Sequence, residues 1–162
     1  MQEHLRPWNP LTVNQTSKLL ASAPFPWWIA GGNAIELAVG KEIRSHGDID
    51  VLVLRRDHVA LRAMLSQWNV WAADPPGTLR PWPVDERLSP SIHDVWCRQS
   101  PGDNWRLQIM IDESAANDWQ SRRDSRVRAS IESITRRTDE GIPIWPRTFN
   151  STTKQKNHVR LT

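Results

Sequence analysis

The 162-residue chain has a single cysteine and no tyrosine, and nowhere does it run to eighteen consecutive apolar residues. Each shortage excludes something. The lone Cys97 cannot form an intramolecular disulfide, fits a reducing cytoplasmic setting, and rules out a cysteine-built zinc site; no His-Glu-x-x-His pattern replaces one. Without a long apolar run there is no transmembrane helix, and the N-terminal "MQEHLRPWNP" does not read as a signal peptide. Residues 147–162 contain no acid, yet they carry Arg147, Lys154, Lys156 and Arg160. Outside them, 17 basic residues face 18 acidic ones, so the formal charge of +3 belongs to the tail and gives little support for nucleic-acid binding.

What the chain has in excess is tryptophan, ten residues without a repeat period. Most are read as core or rim packing, with a stacking platform for bases or sugars as the minority reading. The length suits one domain with one substantial core.

The order of patterns is helix, strand, helix, strand, helix, then several strands, which predicts an α+β or mixed α/β domain. Residues 12–23 read as a helix capped by Thr12 or Asn14, stopped by Pro24 and Pro26. "WWIA" is a short buried strand running into Gly31-Gly32. A helix through Ala34, Ile35, Leu37, Ala38 and Val39 follows, closed by Gly40. "DIDVLVL" reads as a central strand, and Asp57 as the cap of a helix with Val59, Leu61, Met64 and Leu65 facing inward. "WNVWAA", "HDVWCRQ" and "WRLQIMIDE" are further strands, the last two joined as a hairpin through residues 100–104. "SRRDSRVRASIESITRRT" reads as a charged helix or an extended arm.

Asp48 and Asp50, at i and i+2 entering a strand, project from one face and can share a divalent cation. Oxygen-only ligation favours magnesium or manganese. Upstream, Gly31, Gly32 and Asn33 open a helix whose free N–H groups and dipole suit a phosphate. Neither a Walker A motif nor a Rossmann fingerprint is present. A phosphate turn beside a metal pair is the arrangement expected for metal-assisted phosphoryl or nucleotidyl transfer.

At Trp28-Ile29, Gly31-Gly32, Glu36, Gly40 and Arg44-x-His46-x-Asp48-x-Asp50 the sequence resembles the polymerase-beta-like nucleotidyltransferases, more narrowly the aminoglycoside and lincosamide adenylyltransferases. Glu36 stands where that family commonly has aspartate. The resemblance is strong over residues 25–57 and looser to about residue 143. It implies a single nucleotidyltransferase-type domain over residues 1–143, a mixed twisted sheet flanked by helices. It also implies transfer of a nucleoside monophosphate, AMP from ATP, onto a hydroxyl of an aminoglycoside-like small molecule.

By the same resemblance, Asp48 and Asp50 hold magnesium, or manganese, and Gly31, Gly32 and Asn33 contact phosphates. Arg44 and His46 orient phosphate or hold the loop. A third carboxylate is implied on a later strand, as metal ligand or general base. Asp112 is its first candidate, sharing strand parity with Gln108 and Met110, and Asp94 is the second. Acids for a cationic acceptor are available at Asp74, Asp85, Glu86, Glu113 and Asp118. Two alternatives stand beside this reading. One is a non-catalytic nucleotide-binding module; the other is a toxin-like nucleotidyltransferase acting on tRNA or protein.

Residues 144–162, "IWPRTFNSTTKQKNHVRLT", form an atypical polar, basic tail where relatives continue with a helix like "YLAPEIQLLYKAK". With permitted codon choices, joining the third base of each codon to the first two of the next turns "PIWPRTFNSTTKQK" into "YLAPDIQLYYKAK". The expectation is a frameshift near Pro143, a truncated C-terminus, and weakened or lost activity.

Overall fold

Each element begins where the sequence supplies a stop or a cap. In the computed structural model, which describes residues 3–40 and 47–146, Thr12 opens helix α1 (Val13–Leu20) with a reciprocal capping box. The Gln15 N–H donates to Thr12 Oγ1 at 3.0 Å, and the Thr12 N–H donates to Gln15 Oε1 at 2.9 Å. Strand β1 (Trp27–Ala30) passes directly into helix α2 (Gly31–Val39), which Gly40 ends in the left-handed conformation. Strand β2 (Asp50–Leu54) follows, then a turn of 3₁₀ helix and α3 (His58–Met64).

Asp57 does precede α3, but its side chain makes no capping bond. The inward face of α3 also differs from expectation. Val59 is 44% exposed, while His58 and Arg62 turn inward beside Leu61. Both polar groups are satisfied there. Nε2 of His58 accepts from the Leu88 N–H, and Arg62 donates to the carbonyls of Trp82 and Leu65.

The chain continues as β3 (Asn69–Ala73), β4 (Leu79–Pro81), β5 (Asp94–Arg98), β6 (Leu107–Ala115), β7 (Asp118–Gln120) and β8 (Arg128–Ser130). It then forms α4 (Ile131–Ile134), β9 (Arg136–Arg137) and β10 (Pro143–Ile144). The charged stretch over residues 121–138 is therefore not one helix. Ser121 Oγ takes the backbone N–H groups of Arg123 and Asp124, and Asp124 takes that of Arg126, so side chains capture the donors a helix would need.

The strands form one mixed sheet in the order β4-β3-β5-β6-β2-β1-β10-β9, with β7 and β8 extending from the far end of β6. β2 lies parallel to β6 and antiparallel to β1, and β5 and β6 form the expected hairpin. One sheet face, with Ile29, Val51, Val53, Ile109, Ile111 and Val95, packs against Leu20, Ala34, Leu61 and Leu65 from the helices. The other face buries Trp28, Leu52, Leu54 and Met110 beneath Trp119, Ile134 and Trp145. Trp145 meets Trp28 and Trp119 edge-on, at 5.2 and 5.5 Å between ring centres. The packed domain thus runs past residue 143, through Ile144 and Trp145. Residues 147–162 of the atypical tail lie outside the described residues. No helix among the described residues is long and apolar enough to cross a membrane.

Candidate functional site

The second sheet face is fully buried at one end, and its half-buried end carries Asp50 and Asp94. Strand register explains this. Asp50 is paired with Ala30 on β1 and with Gln108 on β6, and Gln108 in turn with Trp96 on β5. Cross-strand partners project to the same side of a sheet, so Asp50, Gln108 and Trp96 share one face. Asp94, two residues from Trp96 along β5, shares it too, and Gln108 Nε2 donates to Asp94 Oδ1 at 3.4 Å.

The turn between β1 and α2 meets this group. Gly31 has φ +64°, and a Cβ added there would lie 2.6 Å from Asp50 Oδ2. Only glycine fits, both for its backbone conformation and because the Asp50 carboxylate occupies the space a side chain would take. Asn33, in the first turn of α2, donates from Nδ2 to the Asp48 carbonyl at 3.4 Å and ties the helix start to the loop that enters β2. Gly32 lies in that same turn. The sequence-expected phosphate turn and aspartate pair are therefore adjacent in space.

The charged neighbours of Asp50 among the described residues are acids. The Asp50 carboxyl is pushed up to about 7, first by burial and then by the charges of Asp48 and Asp94. Among the described residues no three His, Cys, Asp or Glu side chains cluster tightly enough to hold a metal ion by themselves. Magnesium is commonly held by one or two carboxylates plus substrate phosphates, so two aspartates beside a phosphate turn are a donor set it can use.

The structure does not bring Asp112 to this group. It pairs with Leu54, four residues along β6 from Gln108, about 13 Å of strand away. There it is buried, and Oδ2 accepts from Trp119 Nε1 at 2.9 Å. The carboxylate that faces Asp50 is Asp94. Parity alone admits both acids; the hairpin register separates them.

Arg44 and His46 lie outside the described residues. Of the acids considered for a cationic acceptor, Asp74 and Glu86 bind Arg80, Glu113 binds Arg55 and Asp118 binds Arg128, while Asp85 is exposed. Sequence reasoning passed over Gln108, considered only as an alternative strand position, and Arg136 and Arg137, which line a groove reaching Asn33 and Asp48. Their signals were register and chain reversal, which no local pattern contains.

A mixed sheet whose strand–turn–helix unit sets a glycine against a half-buried aspartate at the start of the next strand has the architecture of a nucleotidyltransferase. The chain belongs to the aminoglycoside-2''-adenylyltransferase family, whose model matches residues 12–135. Among solved structures it is similar to ANT(2'')-Ia in complex with adenylyl-2''-tobramycin, with 19% identity and a TM-score of 0.51 over 83% of this chain and 68% of that one. It is also similar to the solution structure of the antibiotic-resistance factor ANT(2'')-Ia, with 20% identity and a TM-score of 0.49 over 82% of this chain and 63% of that one. No curated protein sequence matches the chain.

Proposed function

We propose that the chain transfers a nucleoside monophosphate, AMP from ATP, onto a hydroxyl of an aminoglycoside-type acceptor. The observation that supports this reading is the approach of Gly31 to the Asp50 carboxylate, which sets the turn between β1 and α2 against that acid. Magnesium or manganese, held by Asp48 and Asp50, would supply positive charge for the triphosphate and for the oxygens that gain charge during transfer.

The chain's own residues then have separable tasks. Backbone N–H groups at Gly31 and Gly32, at the positive end of α2, hold the terminal phosphates. Asn33 keeps that turn in register with Asp48. Asp94 accepts the proton of the attacking hydroxyl as its oxygen bonds to the α-phosphorus and the bond to pyrophosphate breaks. Gln108, donating to Asp94, positions that carboxylate. Arg136 and Arg137 add positive charge along the groove that leads to the turn. Asp94 thus takes the role first assigned to Asp112.

The test is direct. Purified protein with magnesium, ATP and tobramycin or kanamycin should release pyrophosphate and yield an acceptor heavier by one adenylyl group. Asp50→Asn should abolish both signals. Magnesium-dependent ATP binding without any adenylylated product would instead favour a non-catalytic nucleotide-binding module. Labelled tRNA or protein would favour the toxin-like alternative. The out-of-frame origin of residues 144–162 is tested by the gene's nucleotide sequence in its three frames; a frame without the expected helix pattern overturns it.

A further inference from the structure

The tryptophans on the second sheet face are not all equivalent. Trp71, Trp96, Gln108, Asp50 and Ala30 form one row across five strands, each paired with the next, and Gly31 follows Ala30. Strands in a sheet are about 4.8 Å apart, so Trp96 stands about 10 Å from Asp50, with Gln108 between them.

The direction of the reaction gives the row a polarity. If the terminal phosphates sit at the Gly31 end, pyrophosphate leaves toward α2. In-line displacement then requires the attacking hydroxyl to arrive from the opposite side of the α-phosphorus. The opposite side is Gln108 and Trp96, with Asp94 one step along β5 to receive the proton.

Trp96 is also the ring left available there. Its neighbours Trp71 and Trp105 already carry the Arg98 guanidinium, at 5.5 and 4.4 Å from their ring centres. Arg98 is itself buried, bound to Glu3 and Asn69. The Trp71 indole N–H is committed to Asn69. Trp96 is half-buried, and edge-on contacts with Trp8 at 5.2 Å and Trp105 at 5.5 Å fix its orientation. Among the described residues no cation lies over its ring and no group accepts from its N–H. An aromatic face beside a carboxylate suits a ring bearing ammonium groups, which gains both C–H contact and cation–π attraction.

We propose that Trp96, steadied by Trp8, is the wall against which the acceptor's cationic sugar ring stacks, and that it sets acceptor affinity in the transferase reading on which this rests. The nucleotide makes no use of it.

Steady-state kinetics and calorimetric titration of tobramycin and of magnesium–ATP, on the wild type, Trp96→Leu and Trp96→Phe, test this. Trp96→Leu should raise the tobramycin KM and Kd about tenfold. Its ATP KM should stay at the wild-type value, which also reports an intact fold. Trp96→Phe should recover most of the loss. Unchanged tobramycin affinity in both variants, or a loss that falls on ATP, overturns the proposal while leaving the transferase reading standing. A wild type that binds and modifies no aminoglycoside overturns both together. Should Trp96→Leu fail to fold, Trp8→Leu decides: an unchanged tobramycin affinity there overturns the wall.

Discussion

Asp50 and Asp112 lie on neighbouring strands of one sheet face, and burial raises the pKa of both carboxyls. Their surroundings differ in sign. Around Asp50 the remaining influences, Asp48 and Asp94, are negative and raise it further. Around Asp112 the Trp119 N–H bond and the charges of Arg122 and Arg55 act the other way, opposed only by Glu113. Asp112 has one hydrogen-bond partner, the Trp119 indole at 2.9 Å from Oδ2; its buried Oδ1 makes no hydrogen bond, and the Arg122 guanidinium lies 4.0 Å from it. Asp50 has a glycine against it and two acids nearby, and among the described residues no cation is paired with it. Burial with a raised pKa therefore does not single out a functional acid. The charge of the neighbours does.

Asp50→Asn should break the contrast most severely. Under the transferase reading it costs on the order of 10³-fold in kcat. In metal-free buffer at neutral pH the same variant should be at least as stable as the wild type, because it removes a crowded buried charge. The pH dependence gives the sign. The folded-state value, about 7, lies above the ordinary 3.8. From about pH 4 to about 7 the unfolded chain therefore sheds a proton that the native state keeps. Metal-free stability should fall over that window by on the order of 4 kcal/mol, the penalty being complete above it. Urea midpoints across pH 4–8 in EDTA should show this slope in the wild type and a shallower one in Asp50→Asn, where Asp112 still contributes. Magnesium should raise the wild-type midpoint at pH 7.5 and leave the variant's unchanged. Equal slopes would show that Asp50 contributes nothing to the pH dependence.

Asp94→Asn comes next. As proton acceptor for the attacking hydroxyl, Asp94 should be worth about 10²-fold in kcat. The ATP KM should hold. A variant that keeps the wild-type kcat would return the third carboxylate to another residue.

The legibility of these roles in the sequence follows how far apart their determinants lie. The strand, glycine turn, helix and aspartate pair were readable because residues 25–57 contain all of it: an apolar run, a glycine pair, a left-handed Gly40 stop, and a period of two from Asp48 to Asp50. The third acid was not. Parity placed Asp112 on the right face, and only register decides the level along the strand. The hairpin at residues 100–104 sets Cys97 opposite Leu107 and hence Asp94 opposite Met110. The parallel pairing of β2 with β6 then brings Asp50 level with Gln108. A parallel pairing has no local sequence mark, because residues 55–106 separate the two strands. The inward turn of His58 and Arg62 was hidden for a related reason: their hydrogen-bond partners, Leu88 and Trp82, come from a distant proline-rich loop.

Gly31→Ala probes the contact that distinguishes Asp50 without altering any acid. The added Cβ meets Asp50 Oδ2 at 2.6 Å, and φ +64° is unfavourable to alanine. The carboxylate or the turn must shift, which should lower kcat by about tenfold to a hundredfold through misplacement of the site. The backbone strain should cost about 1 kcal/mol of stability. Full activity in Gly31→Ala would show that the close approach is packing alone.

The smallest catalytic effect is expected at Asp112, and it completes the comparison from the other side. Asp112→Ala should leave kcat and both KM values near wild type, since the residue is buried along β6 from the group around Asp50. Its cost should fall on folding. The buried Trp119 N–H loses its acceptor, worth about 1–3 kcal/mol in urea unfolding. Asp112→Asn, which keeps an oxygen for that N–H and removes a charge that burial already disfavours, should lose less. The ranking is the informative quantity. If asparagine is the milder change at Asp112 for stability and the disabling one at Asp50 for transfer, the two buried carboxyls are separated by what surrounds them. If Asp112→Asn instead lowers kcat as Asp94→Asn should, then a proton relay reaches deeper along β6 than the hydrogen bonds around Asp94 indicate.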